Sequence, residues 1–186
     1  MNKAALKRLA LELRQEIELS AYDLLDPYQL AALYGVDVYR LSDLNCSDQA
    51  LTHFTISRPE VFSGALFPYE GKLVVLENDQ HPAARRRATL GHELAHHFLE
   101  HEFATQLVNE RGCRTADPED EAAARELGAE LLLPFDAAKR LARQKASDDE
   151  AALKFQVSRE LARWRLDATG ARMIAQRWEG RRAAGQ

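Results

Sequence analysis

Apolar residues recur at helical spacing at both ends of this chain and alternate in its middle. Leu6, Leu9, Leu13 and Ile17 return at intervals of three and four, with Lys7, Arg8, Glu12, Arg14, Gln15 and Glu16 on the other faces, which predicts a packing helix over 3–19. Asp26 as N-cap, Pro27 as first residue and Gly35 as stop predict a second helix over 27–34. The run from Gln29 to Val36 also has the look of half a helix-turn-helix, but no clear second half follows. Val36 to Leu41 alternates as a strand does. Residues 47–57 admit two readings: Ser47 can cap a helix carrying Leu51, Phe54 and Thr55, while Thr52 to Ile56 also suits a strand; a helix is expected. Val61 to Phe67 and Lys72 to Glu77 read as two strands, with turn chemistry in Pro68 to Gly71 between them.

A long helix is expected from near Pro82 to about His101, with Asn78, Asp79 or His81 near its start. Ala88, Leu94, Ala95, Phe98 and Leu99 can bury it, Arg85, Arg86 and Arg87 form a solvated face, and a polar seam runs through His92 and His96. Breakers predict a loop over 102–118. A helix from about Glu119 to Leu133 follows, rich in small residues at Ala122, Ala123, Ala124, Gly128 and Ala129, which permit close approach to another helix. Phe135 to Lys145 predicts a further helix, and Ser147 with Glu150 forms a capping box opening the next. Residues 151–170 make a better helix-turn-helix than the N-terminal run, and seven Arg face three acids between Arg159 and Arg182; the plainer reading is a packed helical pair with a basic surface. The elements together predict an α+β fold: a small antiparallel sheet packed on the His92 helix, with additional N- and C-terminal helices.

Composition adds limits. With 186 residues the chain can bury a core without disulfides or a structural metal. Hydrophobic residues make up 46% and charged residues 29%, as in ordinary globular proteins. A net charge of −4 gives no general attraction to nucleic acid or anionic lipid. Cys46 and Cys113 read as reduced thiols. The N-terminus has no apolar signal core and no run approaches a membrane span, so a cytoplasmic protein is expected.

The seam carries the chemistry. His92-Glu93-Leu-Ala-His96 is an H-E-x-x-H pattern, and a helix puts two imidazoles one turn apart on one face, where both can reach one zinc ion. Catalytic zinc usually takes three protein ligands and keeps a position for water. Glu100, His101, Glu119, Asp120, Glu121 and Glu130 are candidates for the third. Glu121 is preferred because Ala124 and Gly128 share its face of the small-residue helix, whereas Glu130 precedes an apolar end. In this reading His92, His96 and Glu121 hold the metal and Glu93 is the general base. Tyr69 and His53 are candidates for stabilising the oxyanion. His97 and His101 form a rival pair one turn apart, but no acid stands where Glu93 stands in the first, and they read as exposed or behind the ligands.

Phe62-Ser-Gly-Ala-Leu-Phe67, Leu73 to Asn78, Arg86-x3-Leu90-Gly-His-Glu-Leu-Ala-His96, Glu121-x-x-Ala124 with Leu131 to Pro134, and Phe155-x-Val157-Ser158-x6-Arg165-Leu166 together give the chain a likeness to a known family. From about Asp26 to Thr169 it resembles the ImmA/IrrE zinc metallopeptidases. The resemblance implies a zincin-like (minigluzincin) fold, a His92, His96 and Glu121 zinc site with Glu93 as base, and cleavage of a helix-turn-helix repressor in mobile elements, prophages or stress responses. The expected organisation is a metallopeptidase domain with N-terminal helices over 1–146, a helical part over 147–180 packed on it, and a disordered tail over 181–186. The resemblance argues against direct nucleic-acid binding by the tail, and leaves the oligomeric state open. One position departs: where the family commonly has Asn or Asp four residues after the ligand glutamate, this chain has Arg125, which cannot accept a hydrogen bond from a zinc histidine. Two other readings stay open, a non-catalytic binding partner, toxin or sensor on the same fold, and a DNA-binding regulator using Gln156 to Arg172.

Overall fold

The computed structural model describes residues 2–45, 47–101, 117–168, 170, 172–174 and 177. The loop expected over 102–118 falls outside them up to residue 116, as do Cys46, Cys113 and the tail 181–186. Contacts gather into two units: one spans Asp26–Gly128, and the other joins Asn2–Leu25 to the described residues from Ala129 on.

The first unit begins with α2 (Pro27–Leu33), capped by the Asp26 side chain and stopped at Gly35, whose φ is +66°. Strand β1 (Val36–Arg40) follows. Ser47 accepts from the Ala50 N–H and opens α3 (Asp48–Thr52), so helix wins over strand there, and a π turn over His53–Ser57 continues it. A 3-10 turn over Pro59–Val61 takes the first residue expected in the next strand, and β2 runs from Gly64 to Tyr69. Glu70 and Gly71, with φ of 48° and 78°, form a two-residue turn of the kind that matches strand twist, and β3 (Lys72–Glu77) returns.

β2 pairs antiparallel with β3, but β1 pairs parallel with it, in the order β1-β3-β2. The sheet is therefore mixed, not antiparallel as expected. The segment from Leu41 to Ser63 carries the chain from β1 across to β2, and β3 returns between them, so β1 and β2 flank β3. Leu66 and Val75 face each other across the ladder, and both are buried.

Helix α4 spans Ala83–Phe98 and α5 spans Pro118–Leu132. α4 starts behind Pro82 without a side-chain cap. Asn78, considered for its start, is fully buried and donates to the carbonyls of Phe54 (2.8 Å) and Phe62 (3.0 Å). Of the three arginines expected on a solvated face, only Arg85 is exposed. Arg86 pairs with buried Glu77, Arg87 is itself buried, and Arg85 donates to Ser63 Oγ at 2.8 Å. Glu77 also accepts from the Tyr28 hydroxyl at 2.7 Å.

In the second unit, α1 covers Lys3–Glu16, and Glu18 at φ 59° turns the chain before residue 19. Arg14, expected on an outer face, is fully buried: its guanidinium donates to the carbonyls of Ser20, Asp23 and Leu131. Burial lowers its pKa, against which Asp23 and Glu130 favour its charge. Helix α6 (Phe135–Arg143) is followed by α7 (Asp148–Phe155) behind the expected capping box, and Gln156 in the left-handed region leads to α8 (Arg159–Ala168). Arg165 is fully buried, ion-paired with Glu130, and donates through Nε to the Leu133 carbonyl at 2.9 Å. It is therefore internal and unavailable to a phosphate backbone. Glu130, once a candidate ligand, is also taken by the Phe135 N–H at 2.7 Å.

Two outcomes are expected. Arg165→Met strands a buried carboxylate and should lower stability in urea unfolding by about 3–5 kcal/mol, whereas Arg163→Met, at an exposed position, should leave the midpoint unchanged. Burial, then the Glu77 contact, push the Tyr28 phenol up to about 12. A raised pKa stabilises the fold below the free phenol's value near 10, and that contribution is lost as pH rises through about 12. The unfolding free energy measured across alkaline pH should fall less steeply in Tyr28→Phe than in the parent.

Candidate metal centre

Two glycines set the distance between α4 and its neighbours. A Cβ on Gly64 in β2 would stand 2.6 Å from Thr89 Cγ2 on α4. A Cβ on Gly128 in α5 would stand 2.9 Å from the Gly91 carbonyl oxygen and 3.0 Å from the His92 nitrogen. At that second point α4 and α5 touch backbone to backbone. His96 lies five residues on from Gly91 along one helix, and Glu121 seven back from Gly128 along the other, about 7.5 and 10 Å by helix rise. Small residues at the crossing thus let a carboxylate on α5 reach the imidazoles of α4, as the sequence pattern predicted.

The ligand atoms of His92, His96 and Glu121 all lie within 4.8 Å of one another. The two Nε2 atoms are 3.2 Å apart, His92 Nε2 is 3.3 Å from Glu121 Oε2, and His96 Nε2 is 3.3 Å from Glu121 Oε1. Tetrahedral zinc with bonds of about 2.0–2.1 Å needs donors about 3.3 Å apart. The three side chains therefore fit three corners of a zinc tetrahedron. His96 is buried, and His92 and Glu121 are partly exposed, so the open side faces His92 and Glu121. Glu119 and Asp120 share the first turn of α5 with Glu121 and Glu100 is in the turn after α4, but among the described residues only His92, His96 and Glu121 form such a group.

Glu93 is 5% exposed and accepts from the Leu66 N–H at 3.0 Å. Ser63 O receives the Asn78 N–H, which fixes the alternation of the ladder and turns Leu66 N–H away from β3. Glu93 therefore sits at the outer side of β2, which is an edge strand of the sheet among the described residues.

α4 ends in a Schellman turn. Leu99 caps it, Glu100 takes φ 53°, and the N–H groups of Glu100 and His101 return to the carbonyls of His97 and His96 at 3.0 and 3.1 Å. His101 is thus off the helix, and the rival His97–His101 pair does not form. Its Nδ1 lies 2.9 Å from His96 Nδ1, and its Nε2 lies 3.2 Å from Asp120 Oδ1. A place behind the ligands was one of the readings for His101, but the early end of the helix was hidden, because a Schellman turn is signalled by Gly or Asn and position 100 is Glu. His97 packs edge-on to Tyr34, with its pKa lowered by burial.

Tyr69 is more than half exposed and lines an apolar pocket of about 280 Å³ with Tyr39, Leu44, Phe67, Val74 and Leu76. His53 is exposed and meets Phe54 edge-on. Arg125 is exposed. No helix among the described residues is long and apolar enough to cross a membrane.

Residues 48–167 match the family model Peptidase_M78, the IrrE N-terminal-like domain, a stretch reaching from the start of α3 into the last turn of α8. No curated protein and no solved structure matches the chain.

Purified protein should carry about one zinc per chain by elemental analysis, and Glu121→Gln should retain much less. Gly128→Ala touches no ligand side chain, yet its methyl group meets the Gly91 carbonyl and the His92 main-chain nitrogen and should lower zinc content as well. Full zinc in Gly128→Ala would separate the helix crossing from the site.

Proposed function

Because this chain belongs to the IrrE N-terminal-like family of peptidases, we propose that it is a zinc-dependent endopeptidase of zincin-like fold that cuts a partner regulatory protein in the cytoplasm. The observation that carries the reading is the spacing of His92, His96 and Glu121, which matches the donor spacing of a tetrahedral zinc.

Zinc, when held by those three residues, supplies Lewis acidity: it brings a water towards a pKa of about 7 and polarises a peptide carbonyl. Glu93, adjacent to His92 on α4, takes the proton of the attacking water and delivers it to the departing amine. The Leu66 N–H holds one Glu93 oxygen, so the carboxylate keeps its aim without help from substrate. No covalent enzyme intermediate is needed. No other described strand pairs with the outer edge of β2, whose outward carbonyls can accept from an extended peptide, and Glu93 lies beside it, so strand addition would bring a peptide bond to the base. Pro68 is at an outward position where its missing N–H is no loss to the ladder.

The substrate class rests on the likeness set out for the sequence: a helix-turn-helix repressor whose cleavage releases its genes. The charge pattern of the C-terminal helices favours this over DNA binding, since Arg159 pairs with Asp149, Arg172 pairs with Asp148 and Asp167, and Arg165 is internal.

Incubation with the repressor encoded beside its gene, followed by mass spectrometry, should give two fragments from one cut. Glu93→Gln should keep its zinc and lose about two to four orders of magnitude in rate, the usual reach of a general base. Undiminished cleavage by that variant would remove Glu93 from the mechanism.

A further inference from the structure

We propose that His101 and Asp120 form a positioning relay that fixes the His96 imidazole for metal binding and couples the end of α4 to the start of α5. The inference rests on the zinc reading given above for His92, His96 and Glu121.

His96 offers Nε2 to the cluster, at 3.3 Å from Glu121, so its ring proton belongs on Nδ1. Nδ1 is 2.9 Å from His101 Nδ1, which must then accept. A neutral imidazole that accepts at Nδ1 carries its proton on Nε2. That atom of His101 lies 3.2 Å from Asp120 Oδ1, a carboxylate that can only accept. Each group along the line Asp120, His101, His96 is thereby held in one tautomer by the next.

The backbone makes the contact durable. The Schellman turn bonds the His101 N–H to the His96 carbonyl, so the two residues are tied by main chain as well as by ring. His101 is only 12% exposed at its side chain, which limits competition from water. Asp120 directly precedes the ligand Glu121 on α5. The relay therefore links the two helices that supply the ligands, through His96 Nδ1 on the opposite side of the ring from the atom offered to the cluster. Arg125, one turn beyond Glu121, is exposed and offers no acceptor, and His101 fills the role from the turn after α4. Hydrogen bonding of this kind orients a ligand ring and raises its basicity, and its loss typically weakens metal affinity 10–100-fold.

Zinc dissociation constants, measured by competition with a chromophoric chelator, test the relay in the full chain. His101→Leu keeps the bulk and removes the acceptor, and should weaken zinc binding by roughly 10–100-fold. His101→Asn puts an amide oxygen where Nδ1 stood and should restore most of that loss. Asp120→Ala should weaken binding by a smaller factor. The visible spectrum of the cobalt-substituted protein should shift in His101→Leu and return in His101→Asn. Thermal unfolding of the metal-free forms reports on the fold separately. Parental affinity in His101→Leu overturns the relay while leaving the zinc site intact. Equal weakness in His101→Asn and His101→Leu also overturns it, since the contact would then be packing alone. A parent that binds no zinc defeats the proposed function first, and the relay with it.

Discussion

The backbone contact between α4 and α5 is the constraint on which the rest depends. A carboxylate on one helix meets two imidazoles on another only if the helix axes come close, and side chains larger than hydrogen at the crossing keep them apart. Gly128 against Gly91 removes that obstacle one residue before His92. Gly64 does the same on the other flank, where β2 runs under Thr89. Both faces of the site follow: Glu121 arrives from α5, and the Leu66 N–H arrives from β2 to hold Glu93.

Buried charge does the fixing elsewhere. Glu77 draws Arg86 from α4 and Tyr28 from α2 onto the end of β3, and Asn78 beside it gathers the turns between α3 and β2. In the second unit Arg14 and Arg165 reach orphan carbonyls at 131 and 133, near the C-terminal end of α5, where a helix leaves acceptors unmet. Such groups do little as isolated ion pairs, but removing one partner leaves the other without water. They specify which segments meet more than they add to stability.

The periodic elements were legible from residue spacing. Asp26 with Pro27, Ser47, and the box of Ser147 with Glu150 cap where their side chains predict, because capping is local. The face shared by Glu121, Ala124 and Gly128 also survives folding, since helical spacing alone determines it. Long-range partners were not legible. Arg14, Arg86, Arg87 and Arg165 read as surface residues because nothing nearby in sequence announces the carbonyls or acids they meet. The parallel pairing of β1 was hidden for the same reason, as registry between Val36 and Leu73 depends on the intervening chain. His101 was misplaced by a single turn of backbone, which a glutamate at position 100 conceals.

X-ray absorption at the zinc edge, on protein loaded with one equivalent of metal, tests the account most directly. It predicts a single shell of nitrogen and oxygen neighbours at about 2.0–2.1 Å, with the multiple-scattering pattern of two imidazoles that falls to one in His92→Ala. A sulfur shell at about 2.3 Å, or a spectrum unchanged by that substitution, would contradict it.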